Sequence, residues 1–375
     1  MATISKYQTS SGATLYRVRY RTPDRGQTDK RGFKTKRDAE AWASKNEVAK
    51  ARGEYVAPSL GRVTVGELGP TWMLRQKGHM KPSGYRSYES AWRVHVEPRW
   101  HRAKLADIRY TDVQAWVTEL SVKLSPSMVA TVYSVLARIL DDAVRDRLLA
   151  ANPARGVKLP SRAKRQNVYL RADQLHMLSV EAGRYGSLVL LLGTAGLRWG
   201  EAAALRVSDV DFLRRRIVLH ENAVSVGGHI HVGTLKSGHH RAVPLAGFVV
   251  EALAATCEGK ARDELLWPSA SGRHLGPPAG IRSWLSGAVE RCQKADEKFP
   301  RITAHDLRHT AASLAISSGA NVKVVQRMLG HASAAMTLDV YADLFDDDLS
   351  AVADKLSETV GKMWAREVKL DSQQT

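Results

Sequence analysis

The first 60 residues alternate between apolar and basic positions in a way that predicts a small sheet backed by one helix. In "ATLYRVRYRT" three apolar residues alternate with three arginines, which is the period-two pattern of a half-buried strand. The apolar positions are Tyr16, Val18 and Tyr20, and the basic positions are Arg17, Arg19 and Arg21. A further strand is predicted at "RGFKTK", after which Thr35 caps a helix through Trp42. We therefore expect residues 1–60 to form a three-stranded sheet plus a helix, with a row of guanidinium groups on one face.

Residues 64–152 carry apolar and aromatic side chains at helical spacing throughout. Thr64 caps a first helix, "TDVQAWVTEL" presents one apolar stripe, and Pro126 stands in the first turn of another helix. The pattern predicts an all-α domain. Its basic side chains are candidates for contact with phosphates, the alternative being an ordinary solvated surface; they are Arg75, Lys77, Lys81, Arg86 and Arg93.

The stretch "NPARGVKLPSRAKRQN" has two prolines, one glycine and five basic residues but no apolar periodicity. These features are typical of a boundary, so residues 153–167 are predicted to be a basic interdomain linker. Arg162, Lys164 and Arg165 in this linker are further candidates for contact with a polyanion.

Residues 168–375 mix helical and strand patterns. "SLVLLLGTAG" predicts a buried helix that ends at Gly196, and "RIVLHENAVSVGGHIHVGTLKSGHHRAVPL" predicts three strands with turns at 227–228 and 237–238. "TAHDLRHTAASLAISSG" predicts a helix, and Asn321 caps the next one, which ends at Gly330. The expected fold class is therefore a multidomain α+β protein, with a mainly helical last domain that contains a small antiparallel sheet.

The charge balance of the chain indicates its partner. Fifty-six Lys and Arg residues against 38 Asp and Glu give a formal net charge of +18 in 375 residues. Such an excess favours a polyanion as partner, with nucleic acid ahead of an anionic membrane, although a basic solvated surface would have the same composition. A sheet with an arginine face and a basic linker fits a protein that closes around a DNA duplex.

Cysteine usage and hydropathy indicate a protein of the reducing cytosol. Only Cys257 and Cys292 occur, so neither a disulfide framework nor a zinc site is indicated. No stretch has the apolar length of a membrane span, and the first residues lack the apolar core of a signal peptide.

Several basic and nucleophilic residues stand where predicted elements begin or end. Arg198 follows Gly196 in "GLRWGE", and Lys236 lies at a hairpin turn in "TLKSGHHRAVPL". His305 and Arg308 share one helix face, His331 follows Gly330, and Tyr341 lies ten residues beyond His331. Taken singly, each of these residues has an ordinary structural explanation, and only their combination points to chemistry.

Gathered around one point, these six side chains suit a phosphodiester. Two arginines can hold the non-bridging oxygens and neutralise the charge of a pentavalent transition state. A tyrosine can attack phosphorus in line, and a lysine can protonate the departing deoxyribose oxygen. No carboxylate cluster of the kind that holds Mg²⁺ accompanies them, so we expect neither a metal nor another cofactor.

These motifs resemble those of the tyrosine recombinases, and most closely the phage-type integrases with an arm-binding first domain. "GLRWGEAAALRVSDVD", "TLKSGHHRAVPL", "HDLRHTAAS" and "LGHAS" stand in the family's order ahead of Tyr341. The middle segment, including "LADIRYTDVQAWVTEL", and the basic first domain are also similar to the family. The resemblance implies an arm-type domain in residues 1–60, a core-binding domain in 64–152 and a catalytic domain in 168–375.

The resemblance also implies a role for each matching residue. Arg198 and Arg308 would clamp the scissile phosphate, Lys236 would be the general acid, and Tyr341 would become the 3′-phosphotyrosyl nucleophile. His305 would assist proton transfer and His331 would donate a hydrogen bond to the phosphate. Glu201 corresponds to a position that orients the site, and His309 is adjacent to the site and is expected to support packing.

The same resemblance implies partners and an assembly. Family members act as homotetramers on double-stranded DNA by way of a Holliday junction, and some use a DNA-bending host factor and an excisionase. Leu349, Val352, Leu356, Val360 and Met363 share a helical register beyond Tyr341. This apolar face either docks onto a neighbouring protomer or packs on its own domain.

Three other functions remain open at this stage. A chromosome-dimer resolvase would share the last two domains but usually lacks a module like residues 1–60. A type IB topoisomerase would share the phosphotyrosine chemistry but act as a monomer. A DNA-binding regulator would carry the same residues without using them for catalysis.

Overall fold

The computed structural model of the protein describes residues 2–22, 26–51, 55, 60–161, 167–235, 240–346, 357 and 360. The chain divides into two compact units, Met1–Lys164 and Arg165–Thr375. Among the described residues, none of the helices combines the length and the apolar character that crossing a membrane requires.

The first unit begins with the expected sheet. Strands β1 (Thr3–Gln8), β2 (Thr14–Arg21) and β3 (Gln27–Phe33) form an antiparallel sheet with β2 in the centre. Helix α1 (Lys36–Ala51) packs on it, and Val18, Tyr20 and Ala39 are buried between them. The Thr35 hydroxyl accepts a hydrogen bond from the Asp38 amide, as the sequence predicts for a helix cap.

The remainder of the first unit is helical. Its elements are α2 (Val65–His79), α3 (Pro82–Ala91), a π-helical turn (Trp92–Val96), α4 (Glu97–Trp100), α5 (Tyr110–Lys123) and α6 (Pro126–Arg145), with 3-10 turns at Leu60–Arg62 and Leu105–Asp107. Thr64 and Glu67 form a reciprocal capping box at the start of α2. The aromatic and aliphatic residues of the helical stripes are buried in one core, which includes Trp72, Trp116 and Leu136.

Part of the predicted linker packs on this helical core. Ala154 and Val157 are buried in it, and the Tyr133 hydroxyl donates to the Ala154 carbonyl over 2.6 Å. Gln114 exchanges two hydrogen bonds with the backbone of Lys158. At the other end of the segment, Asn167 donates to the Val340 carbonyl of the second unit. Residues 154–158 and Asn167 are therefore held by folded structure, while 162–166 lie outside the described residues.

The second unit is mainly helical. Its helices are α7 (Ala172–Glu181), α8 (Gly186–Ala195), α9 (Trp199–Ala204), α10 (Gly247–Cys257), α11 (Trp284–Ala295), α12 (Ala304–Ser317), α13 (Val322–Leu329) and α14 (Ala334–Asp346), with 3-10 turns at Gly183–Tyr185 and Val207–Asp209. Helix α8 is apolar on nearly all sides and packs against α7, α10 and α12. It therefore forms the centre of the main core of this unit.

The strands of the second unit differ from the simple succession that the sequence predicts. They are β4 (Val210–Asp211), β5 (Arg216–Leu219), β6 (Glu221–Val226), β7 (His229–Thr234) and β8 (Arg241–Pro244). The first predicted strand is divided at His220 into β5 and β6. Strand β8 pairs with β5 in the order β4-β5-β8, while β6 and β7 form a separate hairpin. The turn at Gly227–Gly228 is confirmed, and the turn predicted at 237–238 lies outside the described residues.

The helix ends predicted from glycine and asparagine are confirmed. Gly196 ends α8 and Gly330 ends α13, both in the left-handed region at φ 65° and 64°. The Asn321 side chain caps α13. Of the apolar face predicted beyond Tyr341, only Val360 falls within the described residues.

Candidate active site

Two helix C-termini in the second unit meet at the side chain of Arg308. This residue lies on α12 and is 3% exposed. Its Nη1 donates to the carbonyl of Gly196 over 2.5 Å and its Nη2 donates to the carbonyl of Leu329 over 2.7 Å. Carbonyls at helix C-termini lack partners inside their own helices and carry partial negative charge, so a buried guanidinium is stable there.

Arg198 contacts the same turn at the end of α13 as Arg308 does. It is the N-cap residue of α9, where its backbone amide donates to Glu201. Its Nη1 donates to Glu201 Oε1 over 2.9 Å, and its Nη2 donates to the Gly330 carbonyl over 3.2 Å. Both predicted phosphate-binding arginines therefore contact the turn at Leu329–Gly330.

The proximity of these two cations has an electrostatic consequence. Burial, followed by the charge of Arg198, lowers the pKa of Arg308 to about 10. This value is still well above neutral pH, so the guanidinium of Arg308 remains charged. The described part of the site thus clusters positive charge around the buried carboxylate of Glu201.

The two predicted histidines stand at the edge of this cationic centre. His305 lies at the surface, and partial burial together with the charge of Arg308 lowers its pKa. His331 follows Gly330, and its Nδ1 is 3.0 Å from the Thr337 hydroxyl. Burial and the charges of Arg308 and Arg198 lower the pKa of His331 to about 4, so its ring is neutral at pH 7.

Tyr341 lies on α14 and is buried, with 1% of its surface exposed. Its hydroxyl is 2.8 Å from Nδ1 of His309, the residue that follows Arg308 on α12. Burial raises the pKa of Tyr341 to about 12, although the charge of Arg308 acts in the opposite direction. The phenol therefore lies within the electrostatic influence of Arg308 but is protonated and covered by protein.

The structure brings together five of the six predicted catalytic residues, namely Arg198, His305, Arg308, His331 and Tyr341, and the orienting residue Glu201. Lys236 lies outside the described residues, as do Arg162, Lys164 and Arg165.

The other candidate DNA contacts belong to the first unit. Arg19 and Arg21 are exposed on β2, and Arg17 is half-buried with its Nε donating to Ser5. Lys77, Lys81 and Arg86 are exposed on or beside the helices α2 and α3. Arg75 and Arg93 are also exposed, but they form ion pairs with Asp142 and Glu89 respectively.

Sequence reasoning missed one residue of the site. Arg241 binds Glu201 through both terminal nitrogens, yet in the sequence it is one of many basic residues in "KSGHHRAVPL". His309 was placed beside the site from its position next to Arg308 and was expected to support packing. The structure adds that its Nδ1 contacts the hydroxyl of Tyr341.

Within the described ranges, no group of three or more His, Cys, Asp and Glu side chains is placed so that it could hold a metal ion. The arrangement offers clustered cations, the imidazoles of His305, His309 and His331, and one buried phenol.

Comparisons with known proteins agree with this geometry. Residues 169–347 match the model of the phage integrase family. A prophage phiRv2 integrase of Mycobacterium tuberculosis is 29% identical over 344 residues, which cover 87% of this chain and 88% of that protein. The tyrosine recombinase XerC of Anoxybacillus flavithermus is 27% identical over 66% of this chain and 82% of its own length.

Solved structures show the same fold. The Tn1549 transposon integrase in complex with transposon right end DNA superimposes with a TM-score of 0.67 at 20% identity, covering 78% of this chain and 100% of that chain. The match of the family model spans every described residue of the site, from α8 to α14. Residues 169–347 of this chain thus match the phage integrase family, and similarity to a phage-type integrase extends over 87% of the chain.

Proposed function

We propose that the protein is a site-specific DNA recombinase that cuts and rejoins DNA through a 3′-phosphotyrosyl intermediate, and so integrates and excises a phage or another mobile element. The observation that carries the proposal is the convergence of Arg198 and Arg308 on the Leu329–Gly330 turn. Tyr341 lies near enough for the charge of Arg308 to act on the pKa of its phenol. Two clustered guanidiniums with a phenol nearby suit attack on a phosphodiester better than any other common substrate group.

In this proposal each residue has one task. Arg198 and Arg308 bind the non-bridging oxygens of the scissile phosphate, and His331 donates a hydrogen bond to it. The oxygen of Tyr341 attacks phosphorus while its proton passes to an imidazole, with His305 assisting. Lys236 protonates the departing 5′-oxygen. Glu201 orients Arg198 and takes no part in bond making.

The buried position of Tyr341 adds a condition to this mechanism. A phosphodiester cannot reach a hydroxyl that is covered by protein, and a phenol with a pKa of about 12 is a poor nucleophile at neutral pH. Helix α14 must therefore shift before attack, so that the phenol leaves His309 and meets the phosphate beside the two arginines.

The phosphotyrosyl bond keeps the free energy of the phosphodiester, so a 5′-hydroxyl from another strand can reseal it without ATP. Exchange of two pairs of strands requires four protomers on two duplexes, which is the homotetramer that the family resemblance implies. We place this reaction in the cytoplasm of the host cell, with a DNA-bending factor and an excisionase as possible accessory proteins.

The basic surfaces of the first unit are proposed to bind the DNA duplex. Arg19 and Arg21 face solvent from β2, opposite the buried Val18 and Tyr20. A sheet with such a face can enter a groove. The exposed Lys77, Lys81 and Arg86 are placed to contact phosphates.

An integrase is favoured over a chromosome-dimer resolvase by the extent of similarity. The match to the mycobacterial prophage integrase spans 87% of this chain, whereas the match to the XerC recombinase spans 66%. A relative of the resolvase kind thus leaves about a third of the chain without a counterpart, since 34% lies outside the match.

Trapping the covalent intermediate tests the proposal. The probes are nicked suicide duplexes taken from the DNA that flanks the gene, and the readout is a protein–DNA adduct that survives denaturant. The full-length protein should form the adduct, and Tyr341→Phe should abolish it while DNA binding persists. Tyr185→Phe is the matched control, because Tyr185 is also buried in the second unit but lies on the turn before α8. An adduct that Tyr341→Phe forms as well as the wild type would refute the assigned nucleophile.

Two further measurements separate the alternatives. Two site-bearing DNAs should yield recombinant joints, whereas a topoisomerase would only relax supercoils. Removal of residues 1–60 should abolish binding to outlying repeats and leave weaker binding to the core site. Because phosphate contacts dominate, affinity should fall steeply with added salt, by a logarithmic slope of about 0.9 for each neutralised phosphate.

A further inference from the structure

Arg241 reaches the site from β8, a strand that carries none of the six predicted catalytic residues. It is the first residue of β8 and pairs in register with Leu219 at the end of β5. Its side chain is 14% exposed. Its Nη1 donates to Glu201 Oε1 over 3.0 Å and its Nη2 donates to Glu201 Oε2 over 2.7 Å. This two-point geometry is the strongest pairing that an arginine and a carboxylate can form.

Glu201 is saturated by this arrangement. Its Oε1 accepts from the terminal nitrogens of both Arg198 and Arg241, and its Oε2 accepts from the backbone amide of Arg198 and from Arg241. Burial alone would raise the pKa of Glu201, but the hydrogen bonds and charge of Arg241, followed by those of Arg198, hold it below its ordinary value. One negative charge is thus shared between two guanidiniums.

The guanidinium of Arg241 also lies against the turn that binds the two phosphate arginines. A methyl group added at Gly330 would stand 2.7 Å from Nη1 and 2.8 Å from Cζ of Arg241, which is closer than van der Waals contact allows. Gly330 is in the left-handed conformation and its carbonyl accepts from Arg198. Arg241, Glu201, Arg198 and Gly330 therefore form one contiguous cluster.

The charge distribution of this cluster determines how strongly Arg198 can bind a phosphate. With Arg241 present, the described cations Arg198, Arg308 and Arg241 face one carboxylate, which leaves two positive charges in excess. Without Arg241, Glu201 would pair with Arg198 alone. The carboxylate would then compete directly with a phosphate for the same guanidinium, in a region where burial strengthens such pairing.

We propose that Arg241 is a positioning residue of the phosphate site. It neutralises the charge of Glu201 and fixes this carboxylate in place, so that Glu201 orients Arg198 but does not neutralise it. This inference rests on the proposed function in one respect, that the group bound by Arg198 is a DNA phosphate. Arg241 makes no bond to the reacting atoms and acts through Glu201 and Arg198.

The first test needs no DNA and measures the state of Arg198 directly. The full-length protein is treated with phenylglyoxal, which modifies accessible arginines, and the rate at Arg198 is followed by peptide mass mapping; its side chain is 29% exposed. Arg241→Met should slow this modification about tenfold, which corresponds to about 1.4 kcal/mol of stronger pairing with Glu201. Adding Glu201→Gln to Arg241→Met should restore the rate, because the competing charge is gone.

The second test follows the chemical step. On a suicide duplex that the wild type cleaves, Arg241→Met should slow adduct formation on the order of 10²-fold, since displacement of a phosphate-binding group by about 1 Å has effects of this size. Arg241→Lys should recover part of the loss, because it restores the charge but not the two-point geometry. The double variant Glu201→Gln/Arg241→Met should be faster than Arg241→Met alone.

Arg216→Met is the matched control. Arg216 lies on β5 opposite Pro244, at the other end of the same strand pair, and forms its own ion pair with Asp211. Its loss should leave both the labelling of Arg198 and the cleavage rate unchanged.

Two results would overturn the proposal. One is an unchanged labelling rate of Arg198 in a folded Arg241→Met protein, and the other is a double variant that is as slow as or slower than Arg241→Met in both assays. If the wild type forms no adduct with any duplex, the proposed function fails, and the labelling experiment still decides the role of Arg241 toward Glu201 and Arg198.

Discussion

Replacement of Arg308 by lysine should loosen one of the two helix ends that its guanidinium joins. In the wild type, one guanidinium donates to the carbonyls of Gly196 and Leu329, which end α8 and α13. A lysine ammonium is a single point and can replace only one of these bonds in the same space. A hydrogen bond to a charged group contributes about 1.5–3 kcal/mol, and the carbonyl left without a partner is buried.

The expected loss can be converted into a measurable rate. Because a tenfold change in an opening equilibrium corresponds to about 1.4 kcal/mol, amide hydrogen exchange at one of the two helix ends should accelerate roughly 10- to 100-fold. Exchange is measured by mass spectrometry on the full-length protein, in peptides that cover the last turns of α8 and α13. Arg327→Lys is the control, since Arg327 is exposed in the last turn of α13.

Unchanged exchange at both helix ends in Arg308→Lys would refute the bridging role.

The double role of Arg308 also affects how activity measurements on its variants are interpreted. A variant of Arg308 that is inactive has lost a phosphate ligand and a structural tie together, so loss of cleavage alone does not separate the two. Adduct formation should therefore be compared with exchange at α8 and α13 in the same variants.

Three more outcomes are expected. His309→Ala should remove the hydrogen-bond partner of the buried Tyr341 hydroxyl, at a cost of about 1–3 kcal/mol. Tyr341 should then be nitrated faster by tetranitromethane, and an unaltered nitration rate would contradict the contact. Gly330→Ala should lower the Tm more than Gly319→Ala, because both carry the strain of positive φ, about 1–2 kcal/mol, but only the first meets a guanidinium. His331→Asn should weaken the loss of stability that the protein shows on acidification. The pKa of His331 is about 4 in the folded protein and near 6.5 in the unfolded chain, so the unfolded state binds more protons between these values. Wild-type stability therefore falls as pH falls through this range. Equal slopes for the two proteins in urea unfolding between pH 6.5 and 4 would contradict this sign.

Local signals in the sequence predicted most of the fold. Gly196 and Gly330 end helices because glycine alone adopts the left-handed conformation without strain, and Asn321 begins one because its side chain can accept from the first free amides. Alternation at residues 16–21 placed β2 with its buried and exposed faces in the correct order. The pairing of β8 with β5 escaped prediction because a hairpin intervenes in the sequence, and only the tertiary fold decides which edge β8 joins.

The site shows the same division between local and distant information. Arg198, Arg308, His331 and Tyr341 were noted because they stand where predicted elements begin or end, and their roles came from motif resemblance. No periodicity reports that Arg198 shares one site with Arg308, which is 110 residues away. Arg241 could not be distinguished from surface arginines, because its partner Glu201 is 40 residues away. The sequence surroundings of Tyr341, taken alone, indicate half-buried packing, and only the tertiary fold shows that its surface is 1% exposed.

The guanidiniums of Arg198 and Arg308 are anchored largely by main-chain oxygens, at Gly196, Leu329 and Gly330. Every amino acid supplies such an oxygen, so this part of the clamp depends on the shape of the two turns, while Glu201 and Arg241 are the side chains that hold Arg198. Retargeting of the enzyme to new DNA sequences can therefore randomise side chains on neighbouring surfaces, provided that both turn glycines, Glu201 and Arg241 are kept fixed in the library.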